Sequence, residues 1–400
     1  MRARLLLASL GAASVLAAPA PAAAAGDPLL RAIQRAEAAG GLLPPQGLAY
    51  RNVLARARVT RDSVRGVRRR EMAAALRVAA SIANRGQLTP ARMPALFLTL
   101  QRNAEWWGAH GPPVAGSPGE NGARGRRCRP LPARGRAARV EFAGSELAFQ
   151  YYRGLGLQLQ VNGSWARANA LLGSANPAFV ARGAAMLNEL LPLAVLRDGV
   201  LAWEYLFPIF GGRPPWISAL SQATAVQAMA RAAAKLGRPD LLTPAAQAAG
   251  AFAFGPPAGV RVPLARGQSW YVLYSFAPRQ RVLNAHLQAV AALFDLAQAS
   301  ADPHTKAAYD AGLLAARRRI RRFDTGVWSK YANPGALADL NYHVLNRDLA
   351  SGVCHRSGDR SICRAAGSFA AELERRCPRP TAAAARTAGT ARGAEVARRG

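Results

Sequence analysis

The stretch VLNAHLQAVAALFDL, residues 282–296, decides the fold. Leu283, Leu287, Val290 and Phe294 recur at i, i+4, i+7 and i+11, the period of a helix with one apolar stripe. Residues 306–322 repeat the pattern with Tyr309, Leu313, Ala316 and Ile320. Upstream, residues 217–236 read as a long helix stopped by Gly237, and residues 182–197 as a helix kinked at Pro192. The connections are long and rich in Trp, Tyr, Pro and Gly. Paired helices joined this way predict a mainly α fold, an α/α toroid or incomplete α/α barrel whose inter-helix loops build a cleft at one end.

Working outward, residues 139–161 alternate in short apolar stretches, as in Val140-Glu141-Phe142 and Leu155-Gly156-Leu157-Gln158-Leu159, which predicts one or two hairpins. Residues 112–136 are dense in Gly, Pro and Arg and read as a linker. Residues 26–111 are helical with arginine-rich outer faces; the clearest helix, 71–85, has Met72, Leu76, Ala79 and Ala83 on one stripe and Gly86 as its stop. The toroid domain is expected over 137–377, and the tail, 378–400, is Ala, Arg, Thr and Gly without periodicity, an expected disordered segment.

The first 25 residues have the three parts of a secretory signal: Arg2 and Arg4, an apolar run from Leu5 to Ala18, and Ala23-Ala24-Ala25 as the cleavage site. The run is too short for a membrane span and no other stretch is long enough, so the expectation is a secreted or extracytoplasmic protein with no span after signal cleavage. Cys128, Cys354, Cys363 and Cys377 are even in number, which in an exported chain favours disulfides. Three connectivities are possible; Cys354 with Cys363 and Cys128 with Cys377 is the expected pairing. Zinc is disfavoured, since there is no CxxC and only His355 lies nearby. Net charge is +31, and nearly all of it is arginine, lysine occurring only at 235, 306 and 330. Arginine pairs with carboxylate, sulfate or phosphate. With an export signal and no nucleic-acid-binding motif, an acidic polysaccharide is the expected partner and nucleic acid is not.

No G-x-S-x-G, H-E-x-x-H or P-loop is present, and Gly154-Leu155-Gly156 lacks the third glycine of a dinucleotide fingerprint, so neither a cofactor nor a metal is expected. Polar and aromatic residues gather instead in the loops: Trp203-Glu204-Tyr205, Pro214-Pro215-Trp216, Trp270 to Tyr274, Lys330-Tyr331 and Asn341-Tyr342-His343.

Four of these segments, in order, resemble the C-terminal domain of the D-glucuronyl C5-epimerases. Pro215-Trp216-Ile217-Ser218-Ala219-Leu220-Ser221-Gln222 is similar to the family's P-G-W-Y-S-A-M-A-Q-G-Q. Trp270-Tyr271, Tyr274, Pro278 and Val282-Leu283-Asn284 fall at the spacing of W-Y-E-E-Y-P-x-x-P-x-x-F-V-L-N. Phe323-Asp324-Thr325-Gly326 resembles Y-D-T-G, and Asn341-Tyr342-His343 resembles D-Y-H. The resemblance implies an isomerase that inverts C5 of glucuronosyl residues in heparan-type chains, with catalytic tyrosines falling on Tyr274, Tyr331 and Tyr342. It departs from the family at Leu273, where the animal enzymes carry glutamate, and in a shorter loop between Tyr331 and Tyr342.

The chemistry has a simple basis. The C5 proton of a uronic acid is α to the carboxylate, so its exchange needs a base, a proton donor and groups that hold the carboxylate as it becomes enolate-like. Arg279, Arg281 and Arg347 lie near these tyrosines in sequence and are expected to lower their pKa values and grip the carboxylate, with Trp216 and His343 completing the substrate-binding set. The rival readings are a uronan lyase, a glycoside hydrolase using Glu204 and Asp339, and a non-catalytic carbohydrate-binding protein.

Overall fold

A computed structural model describes residues 26–113 and 138–377. The expected signal (1–25), most of the linker, Cys128 and the tail therefore lie outside the described residues. Four helices come first: α1 (Pro28–Ala38), α2 (Pro44–Ser63), α3 (Gly66–Asn84) and α4 (Met93–Ala109). The α3 stripe read from the sequence is buried, and it closes a separate core with Ile33, Leu54, Phe97 and Trp107.

An antiparallel meander follows, β1 (Arg139–Phe142), β2 (Ser145–Tyr152) and β3 (Gly156–Leu159). Eight helices then alternate: α5 (Val161–Leu172), α6 (Pro177–Leu190), α7 (Ala219–Leu236), α8 (Leu242–Ala249), α9 (Leu283–Ser300), α10 (Pro303–Arg319), α11 (Leu340–Ser357) and α12 (Arg360–Arg376). Odd-numbered helices pack on one another in sequence, α5 on α7, α7 on α9 and α9 on α11, and each also packs on the helix that follows it. This makes an inner arc of four helices, each backed by an outer partner: an incomplete α/α toroid, as the sequence predicts.

The two middle inner helices, α7 and α9, are buried because they carry small or apolar residues on almost every face; α9 buries Leu283, Leu287, Val290, Leu293 and Leu296. Where the inner helices meet one another along the arc, polar side chains bond from helix to helix. Asn169 and Gln288 both donate to Gln227 Oε1 (2.8 and 2.9 Å), Gln227 donates to Asp295 (2.6 Å), and Arg356 clasps Asp295 with two N–H groups (2.7 and 2.8 Å).

Residues 182–197 are not one kinked helix. α6 ends at Leu190, Pro192 sits in a single 3₁₀ turn (Leu191–Leu193), and the chain enters a hairpin, β4 (Val195–Arg197) with β5 (Val200–Ala202). Asp198 and Gly199 make the two-residue turn with φ of 49° and 82°, the Asp-Gly signature of a tight hairpin. A second small hairpin, β6 (Arg261–Pro263) with β7 (Ser269–Tyr271), precedes α9.

One rule fixes how the long loops enter the arc. The fourth residue of every inner helix accepts a hydrogen bond from the main-chain N–H of the loop leading into it. Ser164 accepts from Ala148 (2.9 Å), Gln222 from Trp203 (3.0 Å), His286 from Tyr271 (3.2 Å) and His343 from Ser329 (3.1 Å). These side chains are buried, so each loop is tied at one fixed height.

Cys354 and Cys363 are disulfide-bonded with Cα atoms 4.8 Å apart, as expected, joining α11 to α12. Cys377 is also disulfide-bonded; its expected partner, Cys128, lies outside the described residues. No helix among the described residues is long and apolar enough to cross a membrane.

Candidate active site

All four entrance loops end where inner helices begin, so their tips gather at the N-terminal end of the arc. The loops also bond one another: Ser275 N–H donates to Ile217 O (3.0 Å), Leu283 N–H to Tyr331 O (3.2 Å), and Val282 bridges Ala332.

This gathering brings Tyr274, Tyr331 and Tyr342 together from three segments. The Tyr331 hydroxyl is hydrogen-bonded to those of Tyr274 and Tyr342, and the Tyr331 and Tyr342 rings meet edge-on at 4.6 Å. Tyr342 is the most open of the row, 40% exposed, at the third position of α11. Behind the row stands an aromatic wall: Tyr274 meets Trp216 at 5.6 Å, and Trp216 stacks flat on Tyr205 at 4.0 Å. Trp216 is itself buried, its indole N–H donating to Phe207 O (2.8 Å), so it backs Tyr274 and does not line the cleft.

The expected lowering of the tyrosine pKa values by arginine does not occur. Burial pushes Tyr274 up to about 12, the Tyr342 hydroxyl adding to the rise and the hydrogen bond from Tyr331 opposing it. Tyr331 is also raised, by burial and then by its two tyrosine neighbours. Of these two, Tyr274 is the hydroxyl whose phenolate the row supports.

Two of the three arginines have partners of their own. Arg281 donates to Pro278 O, Arg347 pairs with Asp348 (2.8 and 2.5 Å), and Arg279 is exposed. Arg347 lies five residues beyond Tyr342 on one helix, which puts it on a different face.

His343 is not a substrate-binding residue. It is wholly buried and stacked on Trp328 at 3.6 Å, with Nδ1 bonded to Ser329 and Nε2 to Phe369 O (3.0 Å). Burial lowers its pKa to about 4, so it is neutral at physiological pH.

The hydrolase carboxylates are likewise spent. Glu204 is held between Arg92 and Arg197 (2.5 Å each), and Asp339 caps α11 by accepting from Tyr342 N–H (2.9 Å). Leu273 is buried against Val282, Ala285 and Ala332. Among the described residues no group of three or more His, Cys, Asp or Glu could hold a metal ion.

Two residues were not singled out in the sequence. Tyr152, at the end of β2, reaches the same aromatic wall through Phe207, ring centres 5.0 Å apart. Asn284, second in α9, is wholly buried with neither amide atom hydrogen-bonded. One turn on, Gln288 bonds Gln227 of α7, so Asn284 shares the stripe that faces the interior of the arc. The signal available in the sequence was the recurrence of Asn at the second helical position, in Val161-Asn162, Leu283-Asn284 and Leu340-Asn341.

An open arc of paired helices with a tyrosine-rich mouth is thus the class of protein that fold and site define. Residues 198–370 match the family model described as D-glucuronyl C5-epimerase C-terminus, and over that segment the resemblance read from the motifs is borne out. Solved structures similar to this chain include cellobiose 2-epimerase from Bacillus thermoamylovorans B4167 (13% identity, TM-score 0.34, covering 54% of this chain and 59% of that one). A sugar epimerase from a ruminal bacterium (12% identity, TM-score 0.35, 54% and 58%) and a D-mannose isomerase (12%, 0.35, 54% and 59%) are similar at the same level. The chain thus spans less than two thirds of the length of these structures, and likeness this loose carries no inference about chemistry. No curated protein matches the chain.

Proposed function

We propose that this protein is a uronosyl C5-epimerase acting on an exported uronic-acid polysaccharide. The observation that carries the reading is the hydrogen-bonded row Tyr342–Tyr331–Tyr274, assembled from two loops and the first turn of α11 within the segment that matches the C5-epimerase domain.

The row supplies the base and the proton donor that C5 exchange needs. Tyr274 takes the C5 proton as phenolate, stabilised by the hydrogen bond that Tyr331 donates. Tyr342, the most exposed, returns a proton to the opposite face of the planar carbanion and so inverts it. With Leu273 in place of a carboxylate, the tyrosines carry the acid and base roles themselves. The Cys354–Cys363 disulfide and the signal-like first 25 residues support action outside the cytoplasm, on finished polymer.

The test is deuterium uptake at C5 of heparosan and other uronans in D₂O. Incorporation without chain cleavage is expected. Growth of unsaturated-uronate absorbance would show that the C4 oxygen leaves and the enzyme is a lyase, and binding without uptake would make it a carbohydrate-binding protein.

A further inference from the structure

Tyr152 lies outside the segment that matches the epimerase domain, which begins at residue 198. It closes β2, and because strand side chains alternate, Tyr151 and Tyr152 point to opposite faces. Tyr151 turns to the N-terminal helices, donating to Glu71 (3.1 Å) and meeting Trp107 edge-on. Tyr152 turns to the cleft, onto Phe207 and thence Trp216 and Tyr274.

The Tyr152 hydroxyl accepts a hydrogen bond from Gln160 Nε2 (2.6 Å), which orients it and occupies one lone pair. Its own proton has no acceptor among the described residues. The hydroxyl is near enough to Tyr205, Tyr274 and Tyr342 that each opposes a charge on it, so with burial it stays a neutral donor. Tyr152 precedes α5, the first inner helix, and Tyr342 lies in α11, the last, so the two ends of the arc bring these hydroxyls near one another.

The strand end is held rigidly. Glu71, buried in α3, accepts from Gly154 N–H (2.9 Å) and Gly156 N–H (3.1 Å), and Asn103 of α4 bonds both the N–H and the C=O of Leu157 (2.8 Å each). Gly156 has φ of +76°, and a Cβ there would come within 2.6 Å of Asn103 Oδ1, so only glycine lets the turn sit this close. The N-terminal helices thereby position Tyr152 at the mouth.

We propose that the Tyr152 hydroxyl donates to the carboxylate of the bound uronosyl unit, making it a substrate-binding residue contributed by the strand preceding the arc. With Arg281 bonded to Pro278 O and Arg347 to Asp348, a fixed neutral donor takes the gripping role. The proposal rests on the uronan reading above.

The experiment measures binding by titration calorimetry of a hexasaccharide alternating glucuronate and N-acetylglucosamine, and of its carboxyl-reduced counterpart. Wild type is expected to bind the carboxylated form at least about tenfold more tightly, the worth of one hydrogen bond to a charged group. Tyr152→Phe, which keeps the ring on Phe207, is expected to lose most of that ratio with an unchanged melting temperature. Gln160→Leu, which frees the hydroxyl to rotate, is expected to lose part of it and serves if the first variant does not fold. A full ratio retained in either folded variant overturns the role of Tyr152 and leaves the uronan reading standing. No preference in wild type overturns both.

Discussion

The third and fourth repeats of the arc, a loop with α9 and α10 and a loop with α11 and α12, solve one packing problem twice. In each, a tryptophan of the loop stacks on the histidine at the fourth position of the inner helix, Trp270 on His286 at 3.9 Å and Trp328 on His343 at 3.6 Å. Each histidine accepts a loop N–H at Nδ1 and bonds an outer-helix carbonyl at Nε2, Gly312 O or Phe369 O, both at 3.0 Å. Bulk is traded around this pivot. The third repeat sets Tyr271 against Gly312, where a Cβ would lie 2.6 Å from the Tyr271 ring; the fourth has Ser329 and Phe369 at the corresponding places. The pivot recurs as scaffold, which is why His343 is structural although it adjoins the tyrosine row. The proposed chemistry sits where the repeats differ: the third position of the inner helix is Ala285 in one and Tyr342 in the other.

The sharpest way to break the comparison is to make the repeats alike there. Tyr342→Ala gives α11 the residue of α9, and Tyr342→Phe removes only the hydroxyl. Both are expected to reduce C5 exchange by roughly 10²–10⁴-fold, the usual worth of a positioned acid or base, while the melting temperature stays close to wild type because the side chain is 40% exposed. Exchange within threefold of wild type would remove Tyr342 from the mechanism. In the proposed mechanism the third repeat supplies the base, Tyr274, whose pKa is pushed up to about 12. Phenolate is therefore scarce at neutral pH, and the exchange rate is expected to climb about tenfold per pH unit above pH 7 for as long as the fold survives. A plateau at neutral pH would point to another base.

The traded bulk gives the next largest effect. Gly312→Phe alone drives a ring into Tyr271 and is expected to destabilise by about 3 kcal/mol or more. Adding Tyr271→Ser recreates the fourth repeat's arrangement and should recover about 1–3 kcal/mol of that loss, a coupling read from urea denaturation of the two single variants and the double. Strict additivity would show that the repeats only look alike.

How much of this was legible follows from the same pivot. The periodic apolar stripe of residues 282–296 announced α9, and the aromatic segments located Tyr274, Tyr331 and Tyr342. The anchoring rule was hidden, because its acceptors are Ser, Gln, His and His and their partners lie 14 to 19 residues away. Tyr152 was hidden for a related reason: only the register of β2 tells which of two adjacent tyrosines faces the cleft. For Arg347, proximity in sequence is not proximity on a helix surface, and it pairs with Asp348. Pro192 marked a true break, but a kink and a helix end look the same until the Asp198-Gly199 turn is read with it.

The smallest effects concern acid stability, and they separate the repeats again. Burial lowers His286 to about 3 and His343 to about 4. Between the ordinary value near 6.5 and these values the unfolded chain binds a proton that the folded one refuses, so stability is full above about pH 6.5 and falls as pH drops, by up to about 1.4 kcal/mol per unit for each histidine. The fourth repeat alone adds an opposing pair. Glu372 is wholly buried, and burial, then the neighbouring Asp324, raises its pKa to about 7. Arg375 and Arg376 lower it in part, and His343 lies within the same field. Here the unfolded chain ionises first, so the stability is present below about pH 4.3 and is lost as pH rises toward 7. His286→Gln should therefore flatten the acid side of a melting-temperature profile, and Glu372→Gln should steepen it by removing the term that runs the other way. Profiles that shift in parallel, with no change of slope between pH 4.5 and 7, would show that neither group titrates on unfolding.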